Sequence, residues 1–369
     1  MRQTITQLLM LAVVIVTLSI VACDEDSISE TPSEASATMV LTTDYESGAF
    51  STVDPADQSV AQNVRVIHSD SICRFDPITG LPYIVSRGGA DSITVVNPEN
   101  GWSVNNQYSV GAGTNAQDIA VVSSERAYVP RFGDPSLLIV HPTQGDELGQ
   151  IDLSSYADED GNPEAALIYN VDGEVFVGLQ RIDETWAPTD YSSVLVIDGT
   201  DGSIIEEIQL TAKNPVGKLR YSDAVKSLVL IEAGALGALD GGIEYLDPIT
   251  HTLSGLVISE ETLGGDVSDA VIATETKGYA VIGVYEGEMP TSQLVSFNPS
   301  TGEKLNELII SAGWDLSYLE LSPDSAELWV ADRTMNTPGI RIFDVSNDNE
   351  LTTSPIDVGL PPSMVCFTK

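Results

Sequence analysis

The sequence predicts an all-β fold, a seven-bladed β-propeller whose first blade is closed by the C-terminal strand, on three observations. One short phrase recurs seven times, four strand-like apolar runs accompany each copy, and the chain ends on a strand with no neighbour in sequence. No segment of helical period is long enough to compete with these runs.

Ahead of the repeats, "MRQTITQLLMLAVVIVTLSIVAC" has one Arg, an apolar run from Leu8 to Val21 and a small residue before Cys23. That is the layout of an export signal, too short and too weakly flanked for a spanning helix. Ile20-Val21-Ala22-Cys23 resembles a bacterial lipobox. The resemblance implies a lipoprotein signal peptide over residues 1–22 and a membrane anchor on the lipidated thiol of Cys23. An ordinary signal peptide or an uncleaved anchor is the alternative. Residues 23–36, acidic and rich in Ser, Thr and Pro, cannot bury enough surface to fold and read as a flexible tether. The expected location is the bacterial cell envelope. Asp24 leaves the choice between periplasm and outer surface open.

The remaining residues, 37–369, suit one large β domain. Fifty-five acidic residues against 16 basic ones give a formal charge of −39. This excludes a nucleic-acid binder, because phosphate contacts need clustered Lys and Arg. The charge describes a solvated, self-repelling surface, and a monomer is expected; cation binding is the sharper alternative.

The recurring phrase is a β-branched or aromatic run ending in Asp, Asn or His, usually followed by Pro and often by Gly. Its copies are "STVDPADQ", "TVVNPENG", "LIVHPTQG", "LVIDGTDG", "EYLDPITH", "VSFNPSTG" and "RIFDVSND", marked by Asp54, Asn97, His141, Asp198, Asp247, Asn298 and Asp344. The intervals of 43, 44, 57, 49, 51 and 46 residues match a four-stranded blade with variable loops. Upstream of the markers lie runs such as "LPYIVSRG" and "AELWVADR", and upstream again "DIAVV", "KLRYS" and "DAVIA"; downstream come "SIIEEIQL" and "KLNELII". Each unit therefore supplies strands A to D from the axis outward, and radial stacking covers both faces of each sheet. The first marker lacks an inner strand upstream. The C-terminal "SMVCFT" supplies it, which also removes an exposed apolar edge.

In order and spacing, "AYVPRFGDPSLLIVHPTQGDELGQIDL" and "ELWVADRTMNTPGIRIFDV" resemble the blade of the YVTN-type seven-bladed propellers. That group includes surface-layer-like repeat proteins, lactonase-like proteins and propellers similar to the β-subunit of quinoprotein amine dehydrogenases. Pro130 and Arg131 depart from the signature, where Thr and Asn are usual, and blades four to six carry long insertions. The resemblance implies the architecture and leaves activity open.

Propeller sites lie at the mouth of the central channel, on the face formed by the B–C and D–A loops. Asp44, Arg87 and Arg131 each stand ten residues before their marker, Arg333 eleven before its own, and Arg181 opens the equivalent longer loop. Four of the nine arginines after Cys23 thus fall at corresponding positions. They read either as a partial guanidinium ring for a carboxylate or phosphate ligand, or as partners of Asp91, Asp134, Asp183 and Asp332. Trp186 and Trp314 sit in loops of the same face, as aromatic anchors or as cover for a tunnel. In "YADEDGNPEAA", Asp158, Asp160 and Asn162 alternate around a Gly as calcium ligands do, although Tyr stands where the first Asp of a full loop belongs; an ordinary solvated turn is the other reading. Asp240 and Glu244 are a fainter pair of the same kind.

His68, His141 and His251 are far apart, and His141 fills a turn position. Phosphate-loop, Cys-His metal and nucleophile-elbow patterns are absent from the sequence. The favoured reading is a non-catalytic binding or scaffold module presenting its mouth face to a protein or polymer partner. The alternative is a lactonase-like hydrolase or redox enzyme with its site at the channel mouth. With Cys23 lipidated, Cys73 and Cys366 remain, in the inner strands of the second and first blades and with opposite parity, so a disulfide between them is expected to pin the terminal strand. Two buried free thiols are the alternative.

Overall fold

The computed structural model describes residues 38–285 and 289–368, so the segments expected to be a signal peptide and a tether, with Cys23, lie outside the described residues. The described chain is an all-β, seven-bladed propeller. Its helical content is one turn, Glu260–Leu263, and two short 3-10 segments.

Blade 1 pairs strand A, Pro362–Phe367, with B, Thr38–Thr43, then C, Gly48–Val53, and D, Val60–Ile67. Blade 2 runs Ser71–Asp76, Leu81–Ser86, Ser92–Asn97 and Ser103–Ser109; blade 3 runs Ala120–Ser123, Arg126–Val129, Ser136–Val140 and Glu147–Asp152. Blade 4 follows with Ala165–Val171, Glu174–Leu179, Ser193–Asp198 and Ile204–Gln209, and blade 5 with Pro215–Ser222, Ser227–Glu232, Gly242–Asp247 and Thr252–Ser259. Blade 6 comprises Asp266–Thr274, Lys277–Val284, Thr291–Asn298 and Glu303–Ala312. All pairs are antiparallel, and burial explains the sequence pattern. The middle strands, covered on both faces by neighbouring blades, are continuous apolar runs, as in Val194–Ile197; the outermost strands meet water and alternate, as in Glu147–Asp152.

Blade 7 departs from the expected four strands. Leu316–Leu321, Glu327–Asp332 and Gly339–Asp344 form a three-stranded sheet. The outer position holds only two isolated bridges, Phe343 to Glu350 and Ile340 to Ile356. The intervening "LTTSP" is polar and ends in Pro355, which has no N–H to give to a ladder.

The recurring marker residues are turn chemistry. In the C–D hairpins the marker side chain accepts backbone N–H groups two or three residues on: Asp198 from Thr200 at 2.7 Å, Asp247 from Ile249 at 2.8 Å, Asn298 from Ser300 at 2.9 Å and Asp344 from Ser346 at 2.7 Å. His141 does the same through Nδ1, accepting from Gln144 at 3.3 Å. The repeat visible in sequence is therefore an Asx-type turn on the face opposite the B–C loops.

The C-terminal strand closes the ring as expected, pairing Thr38 with Phe367, Met39 with Cys366 and Val40 with Val365. Phe367 meets Trp329 of blade 7 edge-on at 5.3 Å, and Trp329 is fully buried. Between blades 1 and 2 the expected disulfide is not formed: Cys73 and Cys366 are free and buried. Burial pushes the Cys73 thiol well up. The space beside them is filled by Met364, whose Sδ accepts the Cys73 N–H at 3.0 Å, so the strands pack through side chains rather than a covalent bond.

Candidate functional site

The B–C and D–A loops gather on one face around the channel mouth, and the four expected arginines divide there. Arg87 stands at the mouth, with Nε and Nη2 on Asp70 Oδ1 at 2.8 and 2.6 Å and Nη1 on Gln117 at 3.1 Å. Arg333 also stands there, but its donors go to backbone carbonyls: Pro361 at 3.3 Å, Pro362 at 3.2 Å and Thr43 at 3.0 Å. Tyr45 covers its guanidinium at 4.5 Å. Arg333 therefore clasps blade 7 to both strands of the ring closure. Arg131 is buried against Asp134, Ser136 and the outer-strand Gln150. Arg181 is buried against Asp190 and the Tyr156 and Tyr191 carbonyls, 4.0 Å from the Tyr191 ring. Asp44 caps its own turn through Ser47. The structure does not bring these residues into one ring, because each loop uses its arginine to hold itself or its neighbour.

The axis carries charges that the repeat reading passed over. Arg74 of blade 2 forms a bidentate pair with Asp118 at the foot of blade 3 and reaches the Ile168 carbonyl of blade 4 at 3.2 Å. Arg220 of blade 5 repeats the design with Asp269 of blade 6, at 2.6 and 3.1 Å, and the Leu319 carbonyl of blade 7 at 2.9 Å. Each Asp also accepts the next residue's N–H, Ile119 and Ala270 at 2.8 and 3.0 Å. Lys218 lies 3.7 Å from Glu320, which accepts the Tyr318 hydroxyl at 2.8 Å. Burial works against the charge on Arg74 and Arg220, but the facing carboxylates outweigh it and raise both. A lone Arg inside an apolar inner strand, in "ICRFD" and "KLRYS", was the available signal, with Asp opening the inner run of the next blade.

These groups divide the channel. At the mouth, a cavity of about 590 Å³ is lined by hydroxyls such as Ser71, Ser268, Ser317 and Ser363, with Arg87, Lys218 and Arg333. At the far end, one of about 410 Å³ is lined by Tyr169, Tyr221, Arg74, Arg220 and Phe367. The buried axial carboxylates Asp118 and Asp269 are neutralised by guanidiniums, so neither is placed as a free base or metal ligand. Of the histidines, His68 bonds the Asp70 backbone, and His251 sits between Glu174 and Glu206 at 2.9 and 3.2 Å on the far face.

In the loop of blade 4, Asp158 and Asp160 cap their own turn, accepting from Asp160 N at 3.2 Å and Asn162 N at 2.8 Å, while Asn162 donates to the Phe132 carbonyl at 2.7 Å. Asp158 Oδ2 and Asn162 Oδ1 are buried without a partner. Among the described residues no group of three or more Asp, Glu, His or Cys side chains is arranged to hold a metal ion. Trp186 is 72% exposed and stacks on Phe132 at 5.9 Å, and the loop residues before it, Asp183 and Glu184, line an acidic cleft with Asp158, Asp160 and Arg181. Trp314 lies edge-on to Tyr285 at 5.4 Å. Gly283 makes room for it, since a Cβ there would come within 2.7 Å of the indole.

No family model and no curated protein matches the chain. Solved structures do. A hydrazine synthase of Kuenenia stuttgartiensis superposes with a TM-score of 0.63 at 16% identity, over 80% of this chain and 88% of that one. A protein from Bacteroides uniformis described as a putative 6-phosphogluconolactonase gives 0.63 at 13% identity, over 89% and 98%. The dihydro-heme d1 dehydrogenase NirN gives 0.58 at 16% identity, over 90% and 75%. The likeness is one of fold. Neighbours with such different names share the architecture, and function has to be read from the loops of this chain.

Proposed function

We propose that this protein is a non-catalytic binding module, held to the bacterial cell envelope through a lipid on Cys23, that recognises a partner with the face carrying the channel mouth. The observation that supports this reading is the run of exposed apolar side chains on that face. Leu236, Tyr285, Trp314, Met335 and Tyr45 occupy loops of blades 5, 6, 7 and 1 in succession, in a chain rich in carboxylates. Contiguous exposed apolar surface of this kind marks an interaction site. Its counterpart on the far face is scattered, as with Ile249.

A photo-cross-linking residue placed at Met335, compared with one at Ile249, tests the reading in intact cells. A specific adduct from position 335 and none from 249 is the expected result. Equal labelling from both, or none from 335, overturns it. A lactonase-like reading draws on the neighbour described as a putative 6-phosphogluconolactonase; turnover of a phosphorylated sugar lactone that disappears in Arg87→Ala would replace the binding module with a hydrolase.

A further inference from the structure

Contacts join the exposed apolar groups into one arc. Gly237, next to Leu236, faces the Tyr285 ring, from which a Cβ there would be 4.0 Å away, and Tyr285 meets Trp314. On either side of Trp314, Ser311 Oγ at the end of the blade 6 outer strand meets Thr334 Oγ1 at 3.2 Å and the Asp315 carbonyl accepts the Arg333 N–H at 2.7 Å, which sets the Met335 loop beside the Trp314 loop. The Arg333 guanidinium then lies over Tyr45. Leu236 is 77% exposed, Met335 90% and Tyr45 75%, so folding covers little of them.

Carboxylates outnumber cations around this arc. Asp44 and Glu46 stand beside Tyr45, Asp240 beside Leu239, Glu261 on the helical turn before blade 6, and Asp315 beside Trp314. The cations nearby are engaged: Arg333 donates to three carbonyls, Lys213 to the Thr189 carbonyl, Lys304 to the Leu263 carbonyl at 2.7 Å, and Arg87 and Lys218 face Asp70 and Glu320. A second copy of this chain would bring carboxylates against carboxylates at −39 each, and an anionic membrane surface or nucleic acid would meet the same repulsion.

Building on the recognition face proposed above, we propose that the arc docks a cationic amphipathic segment of a partner protein. Its apolar side chains lie on Leu236, Tyr285, Trp314 and Met335, and its Lys and Arg side chains face the flanking carboxylates. Unbranched Met335 and the aromatic pair give adaptable apolar contact, and the acidic rim accelerates encounter and sets the partner's charge.

Three labelled 18-residue peptides, titrated into the full chain by fluorescence anisotropy, test this. One is an amphipathic Lys/Leu helix, one a Lys/Ser peptide of equal charge, and one a Glu/Leu helix with the same apolar face. The Lys/Leu peptide is expected to bind, with affinity falling as salt rises, and the other two to bind about tenfold more weakly or worse. The double variant Leu236→Ser/Met335→Ser, at positions exposed enough to leave the melting temperature unchanged, is expected to weaken Lys/Leu binding by about tenfold. Equal binding by that variant, or by the Lys/Ser or Glu/Leu peptide, overturns the proposal. If cross-links still form at position 335 in cells while the peptide preference fails, the face survives and the partner's chemistry does not; loss of both overturns both.

Discussion

Arg333 shows how a residue placed correctly by sequence can serve another purpose. Its spacing from Asp344 puts it at the mouth as expected, but spacing does not say where a guanidinium points. Here it bonds the Pro361, Pro362 and Thr43 carbonyls, the entry to the closing strand and the end of its partner. Hydrogen bonds from a charged donor are worth about 1.5–3 kcal/mol each at most, and a shared set gives less than the sum. Arg333→Ala is therefore expected to cost about 2–4 kcal/mol in urea denaturation, whereas Arg87→Ala, which breaks a part-exposed pair with Asp70, costs about 1 kcal/mol or less. Equal costs for the two would remove the clasp role. Arg74 and Arg220 illustrate the converse: their charges are visible in the sequence, yet only the ring geometry brings Asp118 and Asp269 of the next blades against them.

At the scale of the element, blade 5 and its neighbours carry buried acids without cations. Glu232 and Glu244 are fully buried on adjacent strands and grip the loop before blade 5, through Ala212 N for Glu232 and through Thr211 N and Oγ1, at 3.0 and 2.7 Å, for Glu244. Burial, then the hydrogen bond and charge of Glu244, pushes Glu232 up to about 10. Burial likewise raises Glu164 to about 8 and Glu260 to about 7. Folded values above the ordinary 4.5 mean that the folded state holds protons the unfolded chain has released. This contribution to stability is full below pH 4.5 and is lost as pH rises through about 7, 8 and 10. The urea midpoint is expected to fall from pH 6 to pH 9, and Glu232→Gln, neutral at every pH, to flatten the upper part of that fall. A midpoint that holds or rises toward pH 9 would contradict a Glu232 that is protonated in the folded state. The strands were legible because their apolar period is local, and the C–D turns because Asx chemistry needs only neighbours in sequence. The acid pair was not, since Glu244 looks in sequence like a surface residue near Asp240, and its partner Glu232 comes from another strand.

For the whole molecule, the decisive contact joins the two ends of the described chain. The closing strand was readable as a strand without a local partner, whereas the free thiols beside it depend on how Met364 fills the gap between blades, which pattern does not reveal. Met364, Val365 and Cys366 are buried, and Phe367 packs on Trp329. At about 1.5–3 kcal/mol per large apolar side chain, Met364, Val365 and Phe367 supply at most roughly 4–9 kcal/mol, comparable to the net stability of a folded domain. Removing them also bares the edge of Thr38–Thr43, six residues that are all buried in the intact ring. A chain ending at residue 361 is therefore expected to lose its cooperative unfolding transition or to aggregate. A synthetic peptide of residues 361–369, added in excess, is expected to restore the transition by pairing with the exposed strand. The same peptide with Val365→Glu, which sets a charge opposite Val40, is expected to fail. Cooperative unfolding of the shortened chain at the original midpoint, without peptide, would mean that the ring is held by the other six blades rather than by its closure.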